Sequence, residues 1–452
     1  MEDLNHLKEI IEKRFDKMPL ANVQTFGCIQ NENDSEKIRG VLSQLGYGMT
    51  QELKESDIVV FNTCAIRENA ELKIFGNIGE LKALKRANSN MIIALCGCMV
   101  MQPHIVEKIK KSYPFVDIIF GVNAIETLPQ MIYNYFKSGK KQTENPIATD
   151  EIIEQLPLVR KSKSIATISI MYGCDNFCSY CIVPYVRGRE RSREPKVILE
   201  EFQQLVNDGY KDITLLGQNV NSYGKTLDKP MDFADLLQML CKTQGDYVLH
   251  FMSSHPKDIN KKVIDTIRDN PKISRQIHLP IQSGNDRILS LMNRKYTAQE
   301  YLQLVRYAKE QIPEVGFSSD IIVGFPGETF EEYQDTERLV KQVRFTQLFT
   351  FIYSKRIGTK AAEMSDNVSY AEKTVWLNRL IKIQQDIFFE YLESFKGKRV
   401  KALVDSKNGN NYTARLENTL TAHFECDENH LDEFVQLEIT GKKGTVLTAV
   451  IL

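Results

Sequence analysis

The sequence predicts an α/β protein in three parts: an N-terminal parallel α/β domain over residues 20–137, a central partial (β/α) barrel over 160–390 and a small C-terminal β-barrel over 393–452. Three observations predict it. Short apolar runs alternate with helical stretches from about residue 21 to 135 and again from 165 to 353, the pattern of parallel strands joined by helical crossovers. A polar stretch over 138–163, with Gly139, Lys140, Lys141, Gln142, Asn145 and Pro146, separates the two series as a linker or surface crossover. From Lys396 the strands become short and closely spaced between Asn, Gly and Lys, which suits a small barrel. The length of 452 residues agrees, since domains of about 150 residues would make about three.

In chain order, residues 3–16 pattern as an amphipathic helix. Val23–Phe26, Ile58–Phe61, Met91–Leu95 and Asp117–Phe120 are the strand candidates of the first domain. Those of the second are Ile165–Met171, Ile213–Leu216, Tyr247–Met252, Gln276–Leu279, Phe317–Val323 and Gln347–Tyr353, with helical patterns such as 196–208 and 297–311 between them. Six such units fit a partial or complete (β/α) barrel. Residues 370–395 read as a helix. Val400–Val404, Tyr412–Arg415, Leu420–Phe424, Phe434–Ile439 and Gly444–Ile451 are the strands of the tail.

Composition narrows the function. The net charge is −1, so no global basic field announces nucleic acid, and any RNA contact must come from local patches. The N-terminus is charged and lacks the apolar core of a signal peptide. The stretch from Ala87 to Val106 has no Lys, Arg, Asp or Glu, but its Asn88, Ser89, Asn90, Gln102, Pro103 and His104 would be costly in hydrocarbon, so it reads as a buried strand and a helix start. The expectation is a cytoplasmic protein without a membrane partner. Nine cysteines in such a chain point to metal or redox chemistry rather than disulfides.

Cys174, Cys178 and Cys181 stand in C-x3-C-x2-C spacing directly after a strand candidate, at the end where barrel enzymes place chemistry. Three thiolates can hold three irons of a 4Fe-4S cluster and leave the fourth open to a substrate amine and carboxylate. A structural zinc would want a fourth ligand, and no Cys or His lies within about 50 residues downstream; three buried thiols without metal are the other alternative. Cys28, Cys64 and Cys98 each follow a strand candidate of the first domain, and neighbouring strands of a parallel sheet converge at their carboxyl ends. A second cluster and three unrelated buried thiols both fit this spacing. Cys96 rivals Cys98 but ends the apolar run, while Cys241 and Cys426 read as packing residues.

Together the motifs resemble the radical S-adenosylmethionine methylthiotransferases. The resemblance rests on Thr25–Cys28, Asn62–Glu68, Cys96–Met99, the C-x3-C-x2-C motif, Gly217–Tyr223, Ser253–Pro256, His278–Gly284, Met292–Arg294 and Asp320–Thr329. It runs from about residue 20 to the end. The branch that modifies N6-dimethylallyl (isopentenyl) adenosine in tRNA is nearest, on Ile182–Gly188, Arg191–Arg193 and Asn69–Glu71. The departures are Ile29-Gln30-Asn31 where Gln-Met-Asn is common, Ile357 where proline is common, and Ala414 where glycine is usual in the RNA-binding barrel, named TRAM, that closes many of these enzymes.

The resemblance implies a radical enzyme that adds a methylthio group to adenosine 37 of tRNA, next to the anticodon. It implies that Cys28, Cys64 and Cys98 hold an auxiliary 4Fe-4S cluster, so that the cofactors are two 4Fe-4S clusters and S-adenosylmethionine. Partners would be tRNA, an electron donor such as flavodoxin or ferredoxin, and a sulfur source. The same reaction on threonylcarbamoyl-adenosine tRNA or on a ribosomal-protein aspartate stays open. So does an RNA-binding protein with structural or redox-sensing clusters, although a structural cluster gains nothing from a missing ligand.

Tyr180 is a candidate for stacking on the cofactor's adenine. Gln218, Asn219, Ser254, Gln282, Ser283 and Asp320 sit at strand ends, where polar groups bind a cofactor's amine, carboxylate and ribose or else cap helices and close turns. Arg187, Arg189, Arg191 and Arg193 alternate after the cluster motif, and Lys398 and Arg399 open the tail barrel; both sets are candidates for RNA phosphates or for a solvated surface.

Overall fold

The computed structural model describes residues 2–15, 17–65, 68–144, 152–154 and 156–452. Ile66 and Arg67 of the second cysteine motif, and Asn145 and Pro146 of the polar stretch, lie outside them. The chain divides into two compact units: residues 1–161 with 172–175 and 181–191, and residues 162–171 and 176–180 with 192–452.

The first unit contains α1 (Glu2–Arg14), β1 (Leu20–Phe26), α2 (Ile29–Gln44), β2 (Gly48–Met49), β3 (Ile58–Thr63), α3 (Glu68–Ala87), β4 (Ile92–Gly97), α4 (Pro103–Ser112), β5 (Ile118–Phe120), α5 (Leu128–Ser138), β6 (Gln142–Glu144) and α6 (Val183–Arg187). Its sheet is parallel throughout, in the order β2-β1-β3-β4-β5-β6. All six residues of β3 and of β4 are buried, as expected of strands covered on both faces. The strand alternation sorts them: Ile58, Val60, Ile92, Ala94 and Cys96 pack with residues of α1, α2 and α5, while Val59, Phe61, Ile93 and Leu95 pack with α3 and α4. The polar stretch holds an edge strand that its composition does not announce: β6 is hydrogen-bonded to β5, and Gly121 N–H donates to Glu144 O at 2.9 Å. The stretch from Ala87 to Val106 is the strand β4 followed by the start of α4, and no helix among the described residues is long and apolar enough to cross a membrane.

The second unit begins with β7 (Ile165–Ser169); the two-residue strands β8 (Met171–Tyr172) and β9 (Arg191–Ser192) flank the C-x3-C-x2-C loop and α6. There follow α7 (Pro195–Asn207), β10 (Asp212–Leu216), α8 (Phe233–Cys241), β11 (Val248–Phe251), α9 (Lys261–Asp269), β12 (Gln276–His278), α10 (Asp286–Leu291), α11 (Ala298–Gln311), β13 (Gly316–Val323), α12 (Phe330–Val343), β14 (Gln347–Ile352) and α13 (Tyr370–Glu393). Strands β7, β10 and β11 form one parallel sheet and β12, β13 and β14 another. A parallel bridge between Leu249 and Ile273 links them, so six strands follow one another in chain order as a partial barrel. Helix starts are marked by capping boxes at Thr297/Glu300, Thr329/Glu332 and Ser369/Glu372.

Strands β15 (Arg399–Asn408), β16 (Asn411–Leu416), β17 (Thr421–Glu425), β18 (Phe434–Lys443) and β19 (Val446–Ile451) close a barrel in the order β15-β16-β17-β19-β18. This barrel sits at the amino ends of the core strands. Arg415 lies 3.4 Å from Asp212 at the start of β10, Ser274 Oγ donates to Glu417 O at 2.8 Å just before β12, and Ser164 Oγ donates to Asp432 beside β7. The loops after β10, β11 and β12 therefore open at the opposite end of the core.

Candidate iron–sulfur and cofactor sites

The register of β1, β3 and β4 aligns Phe26 with Thr63 and Thr63 with Gly97. The chain leaves these three strand ends side by side, and within two residues reaches Cys28, Cys64 and Cys98. Asn31 ties the loops together: its Oδ1 accepts from Cys28 N–H at 3.3 Å, and its Nδ2 donates to Asn62 Oδ1 at 3.0 Å and to Thr63 O at 3.3 Å. Cys98 N–H donates to Thr63 O at 2.9 Å. Gly97 allows that approach, with φ +101°, and a Cβ there would stand 2.2 Å from Thr63 O.

Cys64 and Cys98 are buried and Cys28 is half-buried. Burial pushes the Cys98 thiol up to about 12, opposed by Arg187 and reinforced by the charges of Cys64 and Cys28. An uncomplexed thiolate is disfavoured here, and a metal that takes the charge of deprotonated sulfur suits the donor set. Among the described residues no three Cys, His, Asp or Glu side chains converge closely enough to share a single metal ion; a four-iron cube, in contrast, takes its thiolates on separate corners. Cys96 is buried in the core with residues of α1, α2 and α5, whereas Cys98 packs with Ala65, Ile182 and Val186.

The wall of this site includes α6. Ile182 and Val186 pack with Cys98 and Ala65. Arg187 Nη2 donates to Asp34 Oδ2 at 2.7 Å, both side chains being buried. A cleft lies beside the pair, lined by Lys37, Asn123, Tyr172 and Arg191 among others.

In the central motif, Gly173 has φ +77° and its missing Cβ would meet Arg189 O at 1.9 Å. Cys174 N–H donates to Gly188 O at 3.1 Å, and Asp175 and Glu190 exchange backbone-to-carboxylate hydrogen bonds at 3.2 Å. The middle of the loop rests on Met292-Asn293-Arg294, a motif whose role sequence reading missed. Asn293 Nδ2 donates to the carbonyls of Asn176 and Phe177 at 3.1 and 2.9 Å, and Ser179 N–H donates to Met292 O at 3.0 Å. Arg294 donates to Cys178 Sγ at 3.5 Å, Pro280 O at 2.7 Å and Tyr296 Oη at 2.7 Å. Cys178 is buried, while Cys174 and Cys181 are half-buried.

Tyr180 packs beside Ile288, Met292 and Phe325. Past β10, Gln218 is half-buried and Asn219 Nδ2 donates to Asp258 at 2.7 Å. Asn219 Oδ1, Ser254 Oγ, Asn221 Nδ2 and His255 Nε2 are buried and have no partner among the described residues, the signature of a site that binds something polar. Burial, aided by Arg294, pushes His255 down to about 2, so its ring is neutral. Asp320 lies 3.6 Å from His278 Nε2. Gln282 joins β13 through its backbone, accepting from Ile322 N–H at 3.0 Å. Phe177, Ser253, Gln282 and Asn293 all hold positive φ in these loops, strain that gathers at functional sites. Ser283 is fully buried in the turn into α10, where its Oγ accepts from Asn285 N–H at 3.3 Å and lies 3.5 Å from Thr336 Oγ1.

The alternating arginines divide. Arg189 is exposed beside Asp175 at 3.1 Å, and Arg191 donates to Arg187 O at 3.1 Å. Arg187 and Arg193 are buried, the latter on Ser169 O at 2.7 Å and Glu201 at 2.9 Å, which corrects their expected place on a phosphate-facing loop. Lys398 and Arg399 are exposed, Arg399 lying 3.4 Å from Glu438.

The Radical SAM superfamily description matches residues 168–340, and that of the uncharacterized protein family UPF0004 matches residues 21–121. The tRNA-2-methylthio-N(6)-dimethylallyladenosine synthase of Thermoanaerobacter pseudethanolicus is 44% identical over 441 residues, 97% of this chain and 94% of that protein. The enzymes of the same name from Clostridioides difficile and Clostridium novyi are 43% and 45% identical, each over 100% of this chain and 95% and 100% of their own. The radical S-adenosylmethionine methyltransferase TsrM of Kitasatospora setae shares the fold with a TM-score of 0.54 at 14% identity, over 76% of this chain and 75% of that one. On the identity and coverage of its relatives, this chain belongs to the radical S-adenosylmethionine family of tRNA-2-methylthio-N6-dimethylallyladenosine synthases.

Proposed function

We propose that this chain adds a methylthio group to N6-dimethylallyladenosine at position 37 of tRNA. One observation carries the reading: the in-register ends of β1, β3 and β4 hold Cys28, Cys64 and Cys98, in a chain that also has the C-x3-C-x2-C motif at the carboxyl end of β7. The name shared by full-length relatives supports this substrate over threonylcarbamoyl-adenosine or a ribosomal-protein aspartate.

Two 4Fe-4S clusters and S-adenosylmethionine supply the radical and sulfur chemistry when bound. Cys174, Cys178 and Cys181 hold the first cluster, and Cys28, Cys64 and Cys98 the second. Arg294 fixes the orientation of Cys178. Tyr180, Gln218, Asn219, Ser254, Gln282 and Asp320 orient the cofactor, with the unpartnered Asn219 Oδ1 and Ser254 Oγ available to its polar groups. Arg189, Arg191, Lys398 and Arg399 are the cations assigned to RNA phosphate. The working division is 20–137, 160–390 and 393–452, with an electron donor and a sulfur source as partners in the cytoplasm.

Modified-nucleoside analysis of tRNA from a deletion strain tests the reading. The methylthio group is expected to vanish from isopentenylated adenosine alone, and to return with the wild-type chain but not with Cys174→Ala. An unchanged tRNA profile refutes it, and loss from threonylcarbamoyl-adenosine replaces the target.

A further inference from the structure

We infer that Arg187 and Asp34 are a pair of positioning residues for the Cys28/Cys64/Cys98 cluster, the buried guanidinium raising that cluster's reduction potential and the carboxylate holding it in check. The inference rests on the ligand assignment under Proposed function and goes beyond it.

Arg187 ends α6, six residues after Cys181, and its fork reaches Asp34 on α2, six residues after Cys28. Its side chain is 6% exposed and that of Asp34 is 5%. A lone ion pair buried this deeply is poor value for stability, because desolvating both charges offsets their attraction. The surroundings supply a second reason for the cation. Val186, next to Arg187 in the chain, packs with Cys98 and Ala65, and Asp34 is buried on the helix that starts directly after Cys28, so both charges of the pair lie beside the ligand set.

The geometry is fixed from both sides. Gln30, one turn back on α2, lies 3.5 Å from the second oxygen of Asp34. Arg191 donates to Arg187 O at 3.1 Å, and Ile182 and Val186 pack α6 against Cys98 and Ala65. A guanidinium held so cannot swing away when the site gains an electron. A nearby positive charge stabilises the more negative, reduced cluster, and in a poorly solvated site that effect is weakly screened. Removing Arg187 therefore lowers the potential, and removing the charge of Asp34 raises it.

The test uses the full chain with Cys174, Cys178 and Cys181 all replaced by Ala, so that only the second cluster remains. Iron and sulfide are counted first, and the midpoint potential is then read by an EPR-monitored redox titration. About four of each per chain is the expected content. Arg187→Met should shift the midpoint to more negative values, Asp34→Asn to more positive ones, and Arg187→Lys should stay near the parent. A structural role alone would not produce opposite signs. If neither Met nor Asn moves the midpoint, or both move it the same way, the inference is overturned while the ligand assignment stands. If Arg187→Met loses the cluster, Asp34→Asn decides alone: a midpoint that is unmoved or more negative overturns the inference. A parent chain without iron removes the ligand assignment and the inference with it.

Discussion

Arg294 sets a guanidinium nitrogen 3.5 Å from the sulfur of Cys178 and uses its other two nitrogens on Pro280 O and Tyr296 Oη. A lysine keeps the charge but cannot hold three partners in one plane. Arg294→Lys should therefore reduce reductive cleavage of S-adenosylmethionine about 10–100-fold, the usual effect of losing an outer partner of a metal ligand. Total iron should stay near about eight per chain. Anaerobic cleavage assays with iron analysis check this; unchanged cleavage would remove Arg294 from the site.

Gly97→Ala tests the other cluster site. The new Cβ would collide with Thr63 O, in a backbone conformation that side chains rarely adopt. The strain is worth about 1–3 kcal/mol, and relieving it must pull Cys98 away from Cys64. Iron should fall from about eight to about four per chain while the cleavage of S-adenosylmethionine persists. Retention of all the iron would show that the Gly97–Thr63 contact does not set the spacing of these ligands.

The strand series was most legible where an apolar run is covered on both faces, as in the all-buried β3 and β4. The convergence of Cys28, Cys64 and Cys98 was only half legible, since spacing names the strand ends but not the register that aligns Phe26, Thr63 and Gly97. β6 escaped because Gln142-Thr143-Glu144 is a polar edge strand with no alternation to detect. Ser283 is not decided by sequence, because a serine at a strand end looks the same whether it closes a turn or faces a ligand. Arg187 misled because alternating arginines read as RNA-phosphate contacts or a solvated loop, and only the fold shows that it pairs with Asp34, 153 positions away, inside the protein.

That division among the arginines has a measurable consequence. Arg189 has an exposed side chain, whereas Arg193 is held inside by Ser169 O and Glu201. Arg189→Ala should weaken tRNA binding and reduce the salt slope by about one. Arg193→Ala should leave that slope unchanged and lower the unfolding midpoint, since it leaves buried partners unsatisfied at a cost of about 1–3 kcal/mol. Binding titrations at several salt concentrations, beside urea melts, separate the two; a reduced slope for Arg193→Ala would contradict its burial.

His255 links stability to pH. Burial, then Arg294, Lys257 and Lys225, hold its folded-state value down at about 2, whereas an unfolded histidine titrates near about 6.5. The folded chain therefore binds fewer protons than the unfolded one throughout that interval. Its contribution is fully present above about pH 6.5 and is lost as pH falls toward 2, at up to about 1.4 kcal/mol per pH unit. The urea midpoint of the wild type should fall between pH 7 and 5 more steeply than that of His255→Gln, which has no proton to gain at this position. Parallel slopes for the two chains would mean that protonated His255 is tolerated in the fold, and that a water or a nearby carboxylate reaches the Nε2 left without a partner among the described residues.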